Sequence, residues 1–250
     1  MKALMLAAGL GRRLFGDENT ELPKALLKFG GQTLIERHIQ CLLDCGIDEL
    51  TLIVGHRSED LLAEVSRVAP AGFVRSTYNP RYRQGPKHSL AMGEDVLRGG
   101  DDVLFMDADV LYHPGLLQTL VGAAPANCFV IDRVFQSTDD FVKVCINDGL
   151  IVDFGKSLGD GYDIVGEWPG FLKIAPDVAN RVADSVLGFI ARGEDEGAYE
   201  DAFCEVMKTS PAGTFGYEDI TGTPWVELDY NSDLEKAATK IMPLIDGLRD

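Results

Sequence analysis

The chain has 250 residues, of which 46% are hydrophobic and 25% are charged, and this composition suits one α/β domain or two small ones with a substantial core. Its formal net charge of −17 excludes nucleic acid as a partner unless basic residues gather on one face, and no Lys/Arg-rich run provides such a face. Because no apolar run is long enough to span a membrane, we expect a cytoplasmic protein that binds neither membrane nor nucleic acid.

The first half of the chain alternates predicted strands with predicted helices. Apolar runs predict strands over 2–7, 49–54, 73–77 and 102–106. Apolar residues at helical spacing predict helices over 34–43, 58–68, 89–97 and 114–121. Ser58 is predicted to cap the second of these helices. This alternation favours a parallel sheet with right-handed crossovers, in which ligands bind beyond the carboxyl ends of the strands.

In the second half, short strands joined by turns give way to longer helices. Strands are predicted over 127–131, 141–146, 150–154, 169–174 and 224–228. Helices are predicted over 176–190, 199–207 and 233–245, the last one capped by Asn231 or Ser232. We therefore expect an α/β fold, a Rossmann-like three-layer sandwich with a mostly parallel, mixed central sheet and helices on both faces. One domain over 1–250 would comprise a nucleotide-binding half (1–125) and an acceptor-binding half (126–250).

The five cysteines form an odd, scattered set, and Cys41 and Cys45, four positions apart on a predicted helix, lack a second His/Cys pair that would complete a zinc site. All five are expected to be small buried thiols in a reducing compartment.

A Gly-rich loop follows the first predicted strand. Gly9 and Gly11 allow backbone N–H groups to approach phosphate oxygens, and the guanidinium of Arg13 can bind two oxygens at once. The loop lacks the Gly-Lys-Ser/Thr of a Walker A motif and the third Gly of a dinucleotide-binding fingerprint. A tight turn between strand and helix is the alternative interpretation.

Pro23 fixes the backbone just before Lys24 and would aim its ammonium group, although a surface lysine is the simpler interpretation.

Several segments together resemble the sugar-phosphate nucleotidyltransferases. Three of them match the N-terminal signature in order and spacing: Gly9-x-Gly11-x-Arg13-Leu14, Pro23-Lys24-Ala25-Leu26 and Leu34-Ile35-Glu36. Two later segments extend the resemblance: Asp107-Ala108-Asp109 and Trp225-Val226-Glu227-Leu228-Asp229. The last segment is similar to the ending of the small cytidylyltransferases of the phosphocholine (LicC-like) type.

This resemblance implies a site for an NTP and a divalent metal. Arg13 and Lys24 would be the catalytic cations. The nucleotide would be bound by Leu6, Ala7, Ala8, Gly9, Gly11, Arg12, Gln84, Gly85, Ser89 and Asp107. Asp109 and Asp229 would hold Mg²⁺, which usually takes one or two carboxylates plus phosphates and water. A helix N-cap is the alternative for Ser89 and for any single aspartate after a strand.

The acceptor would be a phosphomonoester or phosphonate, which is already an anionic nucleophile and needs no general base. Lys156 matches a lysine of the family and would bind its phosphate, while Glu167, Trp168 and Trp225 would form the far wall of the acceptor site. The alternative is that both tryptophans belong to the core. Residues 153–172 contain no Asn or Gln to satisfy the hydroxyls of a hexose, although Asp160 and Asp163 could do so in part.

We therefore expect a cytidylyltransferase that joins CMP from CTP to a small phosphorylated or phosphonate acceptor and releases pyrophosphate. Uridylyl, thymidylyl or guanylyl transfer to a sugar 1-phosphate is the runner-up. A non-catalytic nucleotide-sensing subunit is a second class, which loss of Arg13, Lys24 or the metal carboxylates would have favoured. A dinucleotide-dependent oxidoreductase does not fit the loop. The sequence is compatible with a homodimer and does not decide the oligomeric state.

Overall fold

A computed structural model describes residues 1–16, 21–135, 141–156 and 158–247 of the chain. The strands are β1 (Lys2–Ala7), β2 (Lys28–Phe29), β3 (Gln32–Thr33), β4 (Glu49–Val54), β5 (Val74–Tyr78), β6 (Val103–Asp107), β7 (Val110–Tyr112), β8 (Cys128–Ile131), β9 (Lys143–Asn147), β10 (Leu150–Gly155), β11 (Ile164–Glu167), β12 (Phe171–Ile174), β13 (Gly216–Asp219) and β14 (Trp225–Glu227).

Helices connect these strands and close the chain. They are α1 (Arg12–Phe15), α2 (Leu34–Asp44), α3 (Ser58–Val68), α4 (Pro86–Ala91), α5 (Glu94–Leu97), α6 (Gly115–Gly122), α7 (Pro176–Ala191), α8 (Glu200–Lys208), α9 (Asn231–Lys236) and α10 (Met242–Gly247), with a 3₁₀ turn at Lys24–Leu26 and a π-helical turn at Ala237–Ile241.

The central sheet has seven strands in the order β13-β8-β12-β6-β1-β4-β5. Strands β6, β1, β4 and β5 are parallel neighbours, as are β8 and β13. Strand β12 pairs antiparallel with both β6 and β8, so it alone runs against the other six. The mostly parallel, mixed sheet predicted from the sequence is thus confirmed.

Successive side chains of each strand face opposite sides of this sheet. Ala3 and Met5 of β1 pack into an apolar layer with α2, α3 and α6, whereas Leu4 packs into a second layer with α4, α5, α7 and α8. Leu4 and Met5 are fully buried, and burying such a side chain contributes roughly 1.5–3 kcal/mol. Two buried layers on one sheet make the three-layer sandwich that the alternating pattern predicted.

Two predicted helix caps were wrong, and the cap given as the alternative role of Ser89 is not present either. Helix α3 begins at Ser58 itself, and its N-cap is Arg57 in the left-handed region (φ 45°). Helix α4 begins earlier than predicted, at Pro86, because proline fits the first turn of a helix, so Ser89 is not a cap. Helix α9 begins at Asn231, and the backbone N–H of the preceding residue donates to the Asp233 carboxylate over 2.7 Å.

The sequence patterns also missed several short strands. One of them matters for the site: β7, three residues long, pairs antiparallel with β14 and sets Val110 opposite Glu227. This ribbon follows Asp109 and precedes Asp229, so the two aspartates meet at one end of it. Strands β9, β10 and β11 form a separate antiparallel sheet.

Within the described residues, no helix is both long enough and apolar enough to cross a membrane. The cysteines are free thiols; Cys41, Cys128 and Cys145 are buried as predicted, whereas Cys45 and Cys204 are half-buried.

Candidate active site

A cavity of about 690 Å³ opens beyond the carboxyl ends of β1 and β6, two adjacent parallel strands. Most of the site residues predicted from the sequence line it: Leu6, Ala7, Ala8, Gly9, Gly11, Arg12, Arg13, Lys24, Gly85, Ser89, Asp107, Asp109, Lys156, Trp168 and Asp229. Gln84, Glu167 and Trp225 are not among its lining residues. The fold therefore brings together residues from both halves of the chain.

The Gly-rich loop turns the chain from β1 into α1. Gly11 adopts φ 66°, in the left-handed region, and precedes Arg12 as the N-cap of the helix. A Cβ on Gly9 would meet no protein atom within 4 Å, so the space beside that backbone is open to a ligand. Arg13 follows on α1 and pairs with the carboxylate of Asp229.

Lys24 is held between two of the predicted metal ligands. Its Nζ lies 3.0 Å from Oδ2 of Asp109 and 2.8 Å from Oδ1 of Asp229. Burial disfavours the charged amine, but the two carboxylates outweigh this effect and raise the pKa of Lys24. Burial alone would raise the pKa of Asp229, yet Lys24 and Arg13 lower it. Lysine and carboxylate are therefore both charged at neutral pH.

Three carboxylates converge beside this lysine. Ligand oxygens of Asp109, Glu227 and Asp229 lie within 4.8 Å of one another. The backbone N–H of Leu228 donates to the carbonyl of Asp109 over 3.0 Å and fixes the ribbon at this point. Burial, followed by repulsion from the two aspartates, raises the pKa of Glu227 to about 8. The three residues fit a divalent cation, because oxygen ligands suit Mg²⁺ and a cation would relieve the crowding of negative charge.

Asp107 lies at the end of β6 beneath this cluster and accepts a hydrogen bond from the hydroxyl of Tyr199. Its backbone N–H donates to the carbonyl of Gly170 over 3.1 Å. A Cβ on Gly170 would lie 2.6 Å from Oδ2 of Asp107, so only glycine leaves room for that carboxylate. Burial and the nearby Asp109 raise the pKa of Asp107.

The stretch predicted to read the base contributes Tyr82, Arg83, Gly85 and Ser89 to the cavity lining. Gly85 has φ 138°, a conformation that side-chain-bearing residues rarely adopt. The hydroxyl of Ser89 accepts a hydrogen bond from Nδ2 of Asn79 over 3.0 Å, which orients it from behind.

The predicted acceptor wall is only partly assembled. Lys156 and Trp168 line the cavity, although Trp168 is largely a core residue whose Nε1 donates to the carbonyl of Phe171 over 2.7 Å. Trp225 instead donates from Nε1 to Oδ2 of Asp132 over 2.9 Å. Glu167 exchanges two backbone hydrogen bonds with the same residue, 2.8 and 2.9 Å long. Burial raises the pKa of Glu167 to about 7.

Several cavity residues escaped the sequence prediction, among them Tyr199, Glu200 and Glu227. Glu227 could have been found, because it stands two positions before Asp229 in a segment that the resemblance already covered. Tyr199 and Glu200 stand at the start of α8, where nothing in the local sequence indicates proximity to Asp107.

Comparison with known proteins supplies an independent view of this site. Residues 3–147 match the family of MobA-like NTP transferase domains. The chain is 25% identical to a CMP-5'-(3-aminopropyl)phosphonate synthase of Streptomyces rubellomurinus, over 97% of this chain and 39% of that protein. It is 22% identical to a CTP:phosphoglutamine cytidylyltransferase of Campylobacter jejuni, over 94% of this chain and 98% of that protein.

Solved structures share the architecture. The CTP:phosphocholine cytidylyltransferase (LicC) of Streptococcus pneumoniae superimposes with a TM-score of 0.75 and 22% identity, over 99% of this chain and 98% of that one. At this identity the likeness shows the fold. The chain spans nearly the whole length of the Campylobacter relative but about two fifths of the Streptomyces one.

Proposed function

The chain belongs to the family of MobA-like NTP transferase domains and is a nucleotidyltransferase, and on this premise we propose that it transfers CMP from CTP to a small phosphorylated or phosphonate acceptor and releases pyrophosphate. The names of the two relatives and of the LicC structure described above each refer to CTP or to a CMP-containing product. These names support cytosine as the base. Residues 1–125 would bind the nucleotide and residues 126–250 the acceptor.

The observation that carries the proposal is the placement of Lys24 between Asp109 and Asp229, beside the Gly-rich loop and inside the cavity. Phosphoryl chemistry without a covalent intermediate requires two anions to be held in line while their charge is neutralised. A glycine-rich backbone, two fixed cations and a cluster of carboxylates next to them meet that requirement.

In the proposed reaction, an oxygen of the acceptor phosphate attacks the α-phosphorus of CTP. The new P–O bond forms as the bond from the α-phosphorus to the bridging oxygen breaks, and pyrophosphate leaves with the electron pair. Arg13 and Lys24 stabilise the triphosphate and the negative charge that develops during transfer. Asp109 and Asp229, with Glu227 beside them, would hold Mg²⁺, which would offset the charge of the phosphates.

The acceptor would enter from the side of Lys156, whose ammonium can meet its phosphate. Glu200 interacts electrostatically with Lys156, and Tyr199 precedes it at the start of α8; both line the cavity, whereas Glu167 and Trp225 do not. An aromatic ring and a carboxylate suit an ammonium group on the acceptor.

Isotopic labels test the reaction type. CTP labelled at the α-phosphate should pass its label into the CMP-containing product, and CTP labelled at the γ-phosphate should release labelled pyrophosphate. Both should require an acceptor such as phosphocholine or 2-aminoethylphosphonate together with Mg²⁺. Transfer of the γ-label to the acceptor would mean phosphoryl transfer and would contradict the proposal.

A further inference from the structure

Lys87 is a buried charged residue that the proposed chemistry does not use. It lies on α4 and is 2% exposed. Its ammonium donates to the carbonyl of Glu194 over 3.0 Å and to that of Glu196 over 2.6 Å, and it pairs with Asp201 over 2.8 Å. An ammonium group has three N–H donors, and these contacts use all of them. Lys87 therefore does not bind a substrate phosphate.

The three hydrogen-bonding and ion-pair partners of this lysine belong to the loop between α7 and α8 or to the first turn of α8, and its Nζ also lies 4.7 Å from the ring centroid of Phe189 near the end of α7. The adjacent His88 extends the same connection, because its Nε2 lies 2.8 Å from Oδ2 of Asp195. A Cβ on Gly85 would lie 3.1 Å from the carbonyl of Asp195, so the two segments also touch through their backbones. Contacts at successive positions of the α7–α8 loop thus hold it against α4.

The α4 region and the α7–α8 loop both contribute lining residues to the cavity. Gly85 and Ser89, on either side of Lys87, line the side where the base would bind. The loop continues through Gly197 and Ala198 into Tyr199 and Glu200, and all four residues line the same cavity. Through its contacts with Glu194, Glu196 and Asp201, Lys87 connects these two parts of the cavity wall.

We propose that Lys87 is a positioning residue that fixes the acceptor-side wall of the cavity, an inference that rests on the proposed function. Lys87 connects helix α4 with the α7–α8 loop, and α4 has more stabilising contacts of its own than the loop has. Helix α4 keeps fully buried Leu90 in the core and a hydrogen bond from Asn79 to Ser89. The ion pair between Arg192 and Glu194, by contrast, joins two neighbours at the loop itself. Loss of Lys87 should therefore loosen the loop and leave α4 in place.

The variant Lys87→Met tests this, since it keeps the length of the side chain and removes its charge and donors. In the intact protein, amide hydrogens of residues 192–200 should exchange at least about tenfold faster, because the loop loses its three contacts with the Lys87 ammonium and keeps only those with His88 and Gly85 on this side. The KM for phosphocholine or 2-aminoethylphosphonate should rise about tenfold through misplacement of the acceptor, while the KM for CTP changes by less than about twofold.

Lys173→Met is the matched control. Lys173 is also buried and donates to a backbone carbonyl, that of Ala123, over 2.5 Å, but it lies on β12 outside the cavity lining. Its loss should lower stability and leave both KM values and exchange in residues 192–200 unchanged. Asp201→Asn is a milder second variant, because this half-exposed carboxylate is one of the three partners of Lys87. This variant should also speed amide exchange in residues 192–200 and raise the KM for the acceptor, by smaller factors than Lys87→Met.

Unchanged exchange in residues 192–200 of Lys87→Met, or an equal rise in both KM values, would overturn the inference. If the wild-type protein transfers no CMP at all, the proposed function fails, whereas the exchange measurement still decides whether Lys87 holds the loop. A wild-type protein with CMP transfer and a Lys87→Met variant without these changes would refute the positioning role alone.

Discussion

The ammonium group of Lys24 lies 2.8 Å from Oδ1 of Asp229, although the two residues are 205 positions apart in the chain. Arg13 pairs with the other oxygen of the same carboxylate. One proposed metal ligand is thus already shared between both proposed catalytic cations. Substrate phosphates and a metal ion would enter a network whose charges alternate in sign, which keeps each charge compensated inside the cavity.

Asparagine at either aspartate tests the metal site. Asp109→Asn or Asp229→Asn keeps the shape of the side chain but removes the negative charge that binds Mg²⁺. Turnover should fall by about two orders of magnitude or more, because a bound metal supplies several kcal/mol of charge stabilisation. Asp184→Asn, which loses only a surface ion pair with Arg98, should titrate with Mg²⁺ like the wild type. Near-normal turnover of either site variant would remove that aspartate from the metal site.

Lys24→Ala tests the role of this lysine in the transition state. Loss of one donor to developing charge costs about 2.7–4 kcal/mol, so kcat at saturating CTP should fall about 10²–10³-fold. Steady-state kinetics with both substrates separate this effect from binding. A variant that loses only affinity for CTP would identify Lys24 as a ground-state binder.

His38 should make the stability of the protein depend on pH. It is fully buried on α2, its Nε2 lies 3.1 Å from the carbonyl of Ala108, and burial lowers its pKa from 6.5 to about 4. Because the folded protein binds this proton less readily than the unfolded chain, the contribution is complete above pH 6.5 and is lost as the pH falls towards 4. The stability lost by pH 4, relative to neutral pH, is roughly 3 kcal/mol.

The measurement is the free energy of unfolding between pH 7 and pH 4 for the wild type and for His38→Gln. Glutamine retains a donor towards Ala108 but does not titrate. The variant should lose less stability over this range than the wild type. Identical pH profiles would show that His38 is not held neutral by the fold.

Gly170→Ala tests whether Asp107 must keep its position. Gly170 has φ 87°, and an added Cβ would lie 2.6 Å from Oδ2 of Asp107. We expect lower stability, by about 1–3 kcal/mol for the backbone strain, together with a clear loss of activity. Gly213→Ala shares the strain (φ 81°), but its nearest neighbour is the side chain of Leu150 at 3.8 Å. It should lose stability alone; equal loss of activity in both variants would argue against a role for Asp107.

Local patterns sufficed for much of the fold. The apolar run of β1 and the helical spacing of α2 are strong signals, since each of these elements is long and buries one or both faces. The three residues of β7 are too few to show a period, and this strand exists because β14 pairs with it. Ser58 was a reasonable cap by residue type, yet Arg57 takes the left-handed conformation that the turn requires.

The candidate site likewise contains residues that the sequence could predict and residues that it could not. The Gly-rich loop, Lys24 and the two aspartates stand next to recognisable strand ends, so their convergence at one edge of the sheet was predictable. Contacts between distant segments were not. Nothing near Tyr199 in the sequence indicates its hydrogen bond to Asp107, and nothing near Lys87 indicates its contacts with the α7–α8 loop.

The identity of the two substrates can be decided by comparing the specificity constants of the possible substrate pairs. The kcat/KM of the wild-type protein would be measured for CTP, UTP, dTTP and GTP, each with phosphocholine, 2-aminoethylphosphonate and glucose 1-phosphate. We expect the highest value for CTP with one of the first two acceptors, by at least about tenfold, the ratio that 1.4 kcal/mol of preference gives. A clear preference for UTP or dTTP with glucose 1-phosphate would contradict it and leave only nucleotidyl transfer standing.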